Sequence, residues 1–337
     1  MTRARRRRPG KDLYLYRNSL DTMERLLRNV EEVVTREEFL GLRGGVAYLG
    51  FEPLWPIHVG WLVWAYKLAE LREAGFDVVV LVATWHGWIN DKGPLEELRG
   101  HGEKVRAVLD KMGKFRYVYG DEIARDPGYW ELVVRVAKET SLARVRRATP
   151  VMGRRAEEVE LDFSKLLYPV MQVADIFYLG VDVAVGGMDQ RRAHMLARDV
   201  AEKLGLKKPV ALHTPIITSL SGTGRMEGTH RELDEVYAMY KMSKSKPQSA
   251  IFITDSDEEV RRKIWVAYCP PRESKFNPVF EIAAHLLIPY AGPLEVGGRR
   301  YESADALERD YREGAVTPQA LKEAVAVALV GLLSKLR

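Results

Sequence analysis

Val78-Val79-Val80-Leu81-Val82-Ala83 is an unbroken apolar, largely β-branched run with no polar alternation. Such a strand is stable only where both faces of its sheet are covered, as in a parallel sheet layered between helices. The neighbouring pattern agrees. Residues 45–51 read as a strand that Pro53 and Pro56 break, and a helix is expected from about His58 to Ala74, closed by Gly75. After the apolar run come a helix over 95–112, a strand over 116–120, and helices through about 129–148 and 154–178. A strand at 181–187 ends in Gly186-Gly187, a helix runs to Leu204, and Val210 to Ile217 is the last core strand. This alternation predicts an α/β fold with an open, doubly wound parallel sheet, whose ligands bind beyond the carboxyl ends of the strands.

The pattern changes near residue 218. Residues 218–249 are rich in Gly, Ser and Thr and read as mobile. A strand at Ala250–Ile253 and helices at about 257–268, 277–288, 303–313 and 318–336 predict a small C-terminal α-helical domain. A length of 337 residues suits two domains, each with its own core. The single cysteine, Cys269, excludes a disulfide framework and a cysteine-cluster zinc site, and no protein-held metal is predicted. No apolar run approaches a membrane span, and residues 1–11 lack the apolar segment of a signal peptide, so a cytoplasmic protein is expected. The net charge of +5 is uneven: six positive charges between Arg3 and Lys11 leave the rest of the chain with one net negative charge. That tail, residues 1–12, is expected to be disordered; it either adds attraction to RNA phosphates or is a solvated segment with no task. Only eight side-chain amides occur, which fits a thermophile and draws attention to Gln172 and Gln190.

Three stretches carry chemistry. Lys241-Met242-Ser243-Lys244-Ser245-Lys246 packs three ammonium groups and two hydroxyls around one apolar anchor. It is either an ordinary solvated basic loop or one that closes over a polyanion and neutralises a departing phosphate. His58 and Gly60 stand at a helix start after a parallel strand. There Gly60 leaves room for a nucleotide and His58 can donate to phosphate oxygens, although His-x-Gly also recurs by chance. Asp175 lies in an otherwise apolar helix beginning near Tyr168. A buried carboxylate needs a partner. Either that partner is basic or backbone, or Asp175 and the Tyr48 hydroxyl jointly bind a phenolic hydroxyl; such a site rejects phenylalanine because its polar groups are left unpaired. Tyr168, Gln172 and Gln190 can then hold an α-ammonium group, unless the glutamines face solvent.

Tyr48 to Gly60, Leu81 to Gly93, Tyr168 to Met195 and the lysine loop together resemble tyrosyl-tRNA synthetase of the archaeal and eukaryotic type, whose HIGH and KMSKS signatures clamp ATP. The similarity covers most of residues 30–290. It implies a Rossmann catalytic domain over 13–249 with an inserted helical dimerisation segment at about 95–165, and an anticodon-binding helical domain over 250–337. It also implies ATP with Mg²⁺, tyrosine, tRNA(Tyr) and a homodimer. By position, Tyr48 and Asp175 match the residues that read the tyrosine hydroxyl. Tyr168, Gln172 and Gln190 match the ammonium site, and Gly50 and Glu52 line that pocket. His58, Gly60, Gly187 and Asp189 match ATP-binding positions. Lys241, Met242, Ser243, Lys244 and Ser245 match the mobile loop, and His58, Gly60, Lys241 and Lys244 carry the catalytic roles. Arg147 and Arg191 match contacts to the first base pair of the tRNA acceptor stem.

The chain departs from that family at several places. Trp61 replaces the second histidine of HIGH, Thr84 stands where an acid is usual, and Ala320 occupies the position of the acid that reads an anticodon guanine. Arg225 to Tyr240 lengthens the approach to the lysine loop. Two rivals remain on this reading. Tryptophanyl-tRNA synthetase shares fold and signatures but needs no phenol-reading pair. A synthetase-like RNA-binding protein without activation has no use for an intact lysine loop.

Overall fold

The structure is a computed structural model that describes residues 21–152, 162–222, 233–244 and 246–337. The basic tail, the first part of the helix expected over 154–178, the 223–232 part of the approach to the lysine loop, and Ser245 lie outside the described residues.

The main sheet contains β1 (Glu32–Val34), β2 (Val46–Phe51), β3 (Asp77–Val82), β4 (Arg116–Tyr119), β5 (Val183–Gly187) and β6 (Val210–Thr214), in the order β1-β6-β5-β2-β3-β4. Strands β2 to β6 are parallel, and Val78 to Val82 of β3 are buried throughout. One strand departs from the expectation. β1, unread in the sequence because it is only three residues long, caps the sheet antiparallel, with Glu32 opposite His213. Asp182 ties the sheet together before β5 begins. Its Oδ2 accepts the Val46 N–H at 2.7 Å and its Oδ1 meets Lys207.

Helices cover both faces, as a doubly wound sheet requires. Gly60–Glu73 lies on one face, while Pro127–Lys138, Phe163–Tyr178 and Arg191–Leu204 pack together on the other. Residues 95–119 do not belong to a separate insertion, because they form the helix Leu95–Leu109 and the edge strand β4. Local signals set many boundaries. Asp162 caps Phe163–Tyr178 through the Ser164 N–H, Gly205 ends Arg191–Leu204 at φ 64°, and Thr317 with Pro318 starts Pro318–Leu333.

Three expectations for the C-terminal part change. Ala250–Ile253 is not a strand of any sheet. It runs beside residues 57–59, Val59 donating to the Ile251 carbonyl at 2.9 Å and Ile253 to the Ile57 carbonyl at 3.1 Å. A hairpin, β7 (Leu294–Val296) and β8 (Arg299–Tyr301), sits among the helices Asp257–Val266, Pro278–Ile282, Ala304–Glu313 and Pro318–Leu333. Nor do the C-terminal helices enclose a core of their own. Leu212, Val80 and Leu62 from the sheet layer share one continuous apolar cluster with Ile264, Ile282, Leu307 and Leu329. The second cluster fills the opposite face. The division between cores is therefore the sheet itself, because the C-terminal helices complete the cover that Gly60–Glu73 begins.

Candidate active site

Chain order reverses between β2 and β5, so their carboxyl ends open a crevice between connections that leave in opposite directions. Tyr48 and Gly50 occupy alternate positions of β2 and share one face, and Glu52 follows immediately after the strand's end. Gly50 gives the Tyr48 ring its space, since a Cβ there would lie 2.5 Å from the Tyr48 hydroxyl. The double glycine acts similarly. A Cβ on Gly186 would come within 2.9 Å of the Gln190 Cβ, and one on Gly187 within 2.6 Å of Asp189 Oδ1. The strand end can thus turn back with Asp189 and Gln190 folded over it. At the start of Gly60–Glu73, a Cβ on Gly60 would stand 3.0 Å from His58 Nδ1.

The inner end of this region is built of buried phenols and carboxyl groups. Asp175, 1% exposed, accepts from the Tyr129 hydroxyl at 2.8 Å through Oδ1, while its Oδ2 accepts no hydrogen bond among the described residues. His86 Nε2 lies 3.4 Å from that oxygen. This approach is not an ion pair near neutral pH. Burial pushes the Asp175 carboxyl up to about 8 and the His86 imidazole down to about 4, so both groups are largely neutral there. Tyr48 is close enough for the charge on Asp175 to add to the effect of burial in raising its phenol. Above them, Glu52 Oε1 accepts from the Tyr168 hydroxyl at 2.9 Å and from Asn90 Nδ2 at 2.7 Å, and burial raises its pKa. Gln172 donates to Gln190 Oε1 at 3.0 Å, and the buried Gln172 Oε1 has no partner among the described residues. Tyr129, His86 and Asn90 were not assigned from the sequence. His86 carries a usable signal, since it lies in the first turn of the helix Thr84–Ile89 that follows the carboxyl end of β3, and Asn90 caps the far end of that helix. Tyr129 carries none, because nothing local links it to a helix 46 residues away.

The outer end receives the lysine loop. The cleft there is lined by Glu52, His58, Gly60, Trp61, Gly187, Asp189 and Lys241, whereas Tyr48, Tyr168, Gln172 and Asp175 lie outside its lining. His58 is buried with Nδ1 unpartnered; burial, helped by Lys244 and Lys241, holds its imidazole down at about 3, so it is neutral. Lys241 donates to Asp189 Oδ2 at 2.6 Å, and this pairing outweighs the burial that disfavours its charge. Burial pushes the Lys244 ammonium down to about 7, against the attraction of Glu52. Lys244 donates to the Leu54 carbonyl and stands 4.6 Å above the Trp61 ring. The residue that replaces an imidazole thus offers the loop a π face. Trp61 itself packs against Phe51 and Trp64.

The lysine loop is more tethered than its composition suggests. Met242 is buried, its N–H donates to the Ile217 carbonyl at 2.9 Å, and Leu220 donates to the Ser249 carbonyl at 2.9 Å. Small polar residues leave the backbone free to pair, and here it does. Elsewhere, Arg191 forms a 2.9 Å ion pair with Glu32, Arg147 is exposed, and Arg192, the neighbour of Arg191, donates to the Arg147 carbonyl at 3.1 Å. Thr84 donates to Asp121 Oδ1 at 2.8 Å, so a carboxylate stands beside the position from which it is missing in the chain. Ala320 lies in the first turn of Pro318–Leu333, where its N–H donates to the Thr317 hydroxyl.

Comparison with known proteins agrees with this geometry. The family model for tRNA synthetases class I (W and Y) matches residues 44–334. The chain is 86% identical over 315 residues to tyrosine–tRNA ligase 2 of Pyrobaculum aerophilum, covering 94% of this chain and all of that protein. Among solved structures, tyrosyl-tRNA synthetase of Aeropyrum pernix superposes with a TM-score of 0.83 at 48% identity, covering 95% of this chain and 94% of that one. The Archaeoglobus fulgidus tyrosyl-tRNA synthetase complexed with L-tyrosine also gives 0.83, at 37% identity and coverages of 95% and 98%. With buried phenols and carboxyl groups and a lysine loop gathered at its strand ends, and with this similarity over most of its length, the chain belongs to the class I tRNA synthetases of the tyrosine and tryptophan group, among the archaeal tyrosyl-tRNA synthetases.

Proposed function

We infer that the chain is a tyrosine–tRNA ligase: it activates tyrosine with ATP to tyrosyl-adenylate and passes the tyrosyl group to the 3′ adenosine of tRNA(Tyr). The observation that carries the choice of amino acid is Asp175, fixed through Oδ1 by Tyr129 and left with a buried, unpartnered Oδ2. Once ionised, an unpaired carboxylate oxygen of this kind favours a ligand that brings an O–H donor. A phenol satisfies it, together with Tyr48. In this reading Glu52, Tyr168, Gln172 and Gln190 exchange their present hydrogen bonds for the α-ammonium group.

A tyrosine carboxylate oxygen then attacks the α-phosphorus of ATP, and the bond to the bridging oxygen of pyrophosphate breaks. His58, neutral in the free site, donates to a phosphate oxygen beside Gly60. Lys241 and Lys244 neutralise charge on the leaving pyrophosphate, while Gly187 and Asp189 line the nucleotide side. In the second step the terminal ribose hydroxyl attacks the acyl carbon and AMP leaves. The protein supplies positioning and charge stabilisation rather than a covalent intermediate. Among the described residues no group of three or more His, Cys, Asp or Glu side chains could hold a metal ion. In this reading Mg²⁺ arrives on the ATP phosphates, and no step is assigned to it.

Arg147 and Arg191 face the acceptor stem in this proposal, and the C-terminal helices contact the anticodon arm. Exposed Val134, Leu142 and Phe163, at 57%, 54% and 75%, support a homodimer through the helical face that carries them. No described helix is long and apolar enough to cross a membrane, and a cytoplasmic location fits a tRNA substrate. The test is ATP–pyrophosphate exchange with tyrosine, phenylalanine and tryptophan as alternative substrates. Exchange only with tyrosine is the expected result. Exchange driven by tryptophan, or none with any of the three, would overturn the reading.

A further inference from the structure

The tyrosine and ATP chemistry leaves one buried carboxyl group near the lysine loop without a task. Glu281, 6% exposed, lies in the helix Pro278–Ile282 within the C-terminal helices. Its Oε2 accepts the Thr218 N–H at 2.6 Å and its Oε1 accepts the Thr218 hydroxyl at 2.9 Å. A further backbone hydrogen bond comes from Phe276, and Glu31 is the charged neighbour that opposes its ionisation. A carboxyl group costs free energy to bury, so a purely space-filling role would be better served by an apolar side chain.

What Glu281 holds explains its presence. Thr218 stands opposite Lys241 in an isolated antiparallel bridge. The two flanking hydrogen bonds run from Met242 N–H to the Ile217 carbonyl at 2.9 Å and from Ser219 N–H to the Tyr240 carbonyl at 2.8 Å. In that pattern the middle residue turns its own N–H away from its partner. Thr218 therefore presents its N–H to the far edge of the strap formed by residues 217–220, and Glu281 meets it there. Lys241 on the near edge sends its ammonium to Asp189, and Lys244 follows three residues later over Trp61. A second contact joins the same parts: the Tyr237 ring, on the helix leading into the loop, packs 6.0 Å from the Phe276 ring.

We propose that Glu281 is a positioning residue for adenylate formation: it fixes the strap at 217–220, and the strap fixes where Lys241 and Lys244 deliver their charges. The C-terminal helices, besides contacting tRNA, thereby set the register of the loop. This rests on the phosphate-binding role given above to the two lysines.

The test uses the full chain and compares Glu281→Ala, Glu281→Gln and Thr218→Val with the parent and with Lys244→Ala. Pyrophosphate exchange at saturating tyrosine and ATP is measured beside equilibrium tyrosine affinity and thermal stability. Glu281→Ala should lower the turnover of folded enzyme by tenfold or more and leave the tyrosine Kd within about twofold, because Tyr48 and Asp175 are untouched. Glu281→Gln can accept from the N–H and donate to the hydroxyl oxygen, and should restore turnover to within about threefold of the parent. Should Glu281→Ala fail to fold, Thr218→Val, which keeps the N–H bond and loses the other, should show the same split at smaller size. Unchanged turnover in both variants, tyrosine affinity falling in step with turnover, or no rescue by glutamine would overturn the proposal. A parent active with tyrosine but indifferent to Lys244→Ala would overturn it through the lysine role instead, leaving the ligase assignment standing; a parent inactive with tyrosine would remove that assignment first.

Discussion

At the scale of single residues, Asp175 links protonation to substrate choice. Burial holds its carboxyl at about 8 in the free site, so it is largely protonated at pH 7. A phenol that donates to the carboxylate favours the ionised form and lowers that pKa. Tyrosine binding should then release a proton below pH 8, and affinity should tighten as pH rises from 6 towards 8, by at most about tenfold per pH unit. Calorimetry in buffers of differing ionisation enthalpy reads this directly. Proton uptake or a flat Kd would contradict it. Trp61 and Lys244 give a second prediction. A cation–π contact is worth about 1 kcal/mol, so Trp61→Ala should slow pyrophosphate exchange roughly fivefold, and Trp61→Phe by less. Lys244→Ala should slow it about tenfold or more, and adding Trp61→Ala to that background should cost little further. Fully additive losses in the double-mutant cycle would show that the indole acts elsewhere.

At the scale of elements, the site depends on how strands end. The β5 turn works because Gly186 and Gly187 have no side chains where Gln190 and Asp189 fold back. Gly186→Ala places a methyl group 2.9 Å from Gln190 Cβ and Cγ, closer than side-chain atoms tolerate. The expected result is a tyrosine Kd weakened by about tenfold, with the melting temperature lowered by a few degrees, since overpacking costs about 1–3 kcal/mol. Titration followed by intrinsic fluorescence measures the first quantity and calorimetry the second; an unaltered Kd would mean that Gln190 does not contact the ammonium group. The lysine loop makes the complementary point. Its composition reads as mobile, yet its described parts are held by backbone pairing that any sequence can make, so composition alone did not reveal the tether.

At the scale of the whole molecule, the C-terminal helices share a core with one face of the sheet, so the two halves of the chain are expected to unfold together. The opposite face carries exposed apolar side chains on the helices Pro127–Lys138, Leu142–Ala148 and Phe163–Tyr178. If two copies meet there, Val134→Glu combined with Leu142→Glu should convert a dimer of about twice the chain mass to a monomer in sedimentation equilibrium, because burying two unpaired carboxylates would cost several kcal/mol. A dimer that withstands both changes would place the interface elsewhere.

The sequence by itself determined the layered parallel sheet, the order of its elements and the identity of the groups at the strand ends. Those follow from hydrophobic period, glycine placement and side-chain chemistry, which are local properties. Only the tertiary structure decided that Tyr129 holds Asp175, that Asn90 holds Glu52, that Trp61 meets Lys244, and that Glu281 fastens the strap beneath the lysine loop. Each joins residues from 38 to 183 positions apart. Such partners leave no periodic trace, because their meeting depends on how whole layers pack and not on the pattern within any one element.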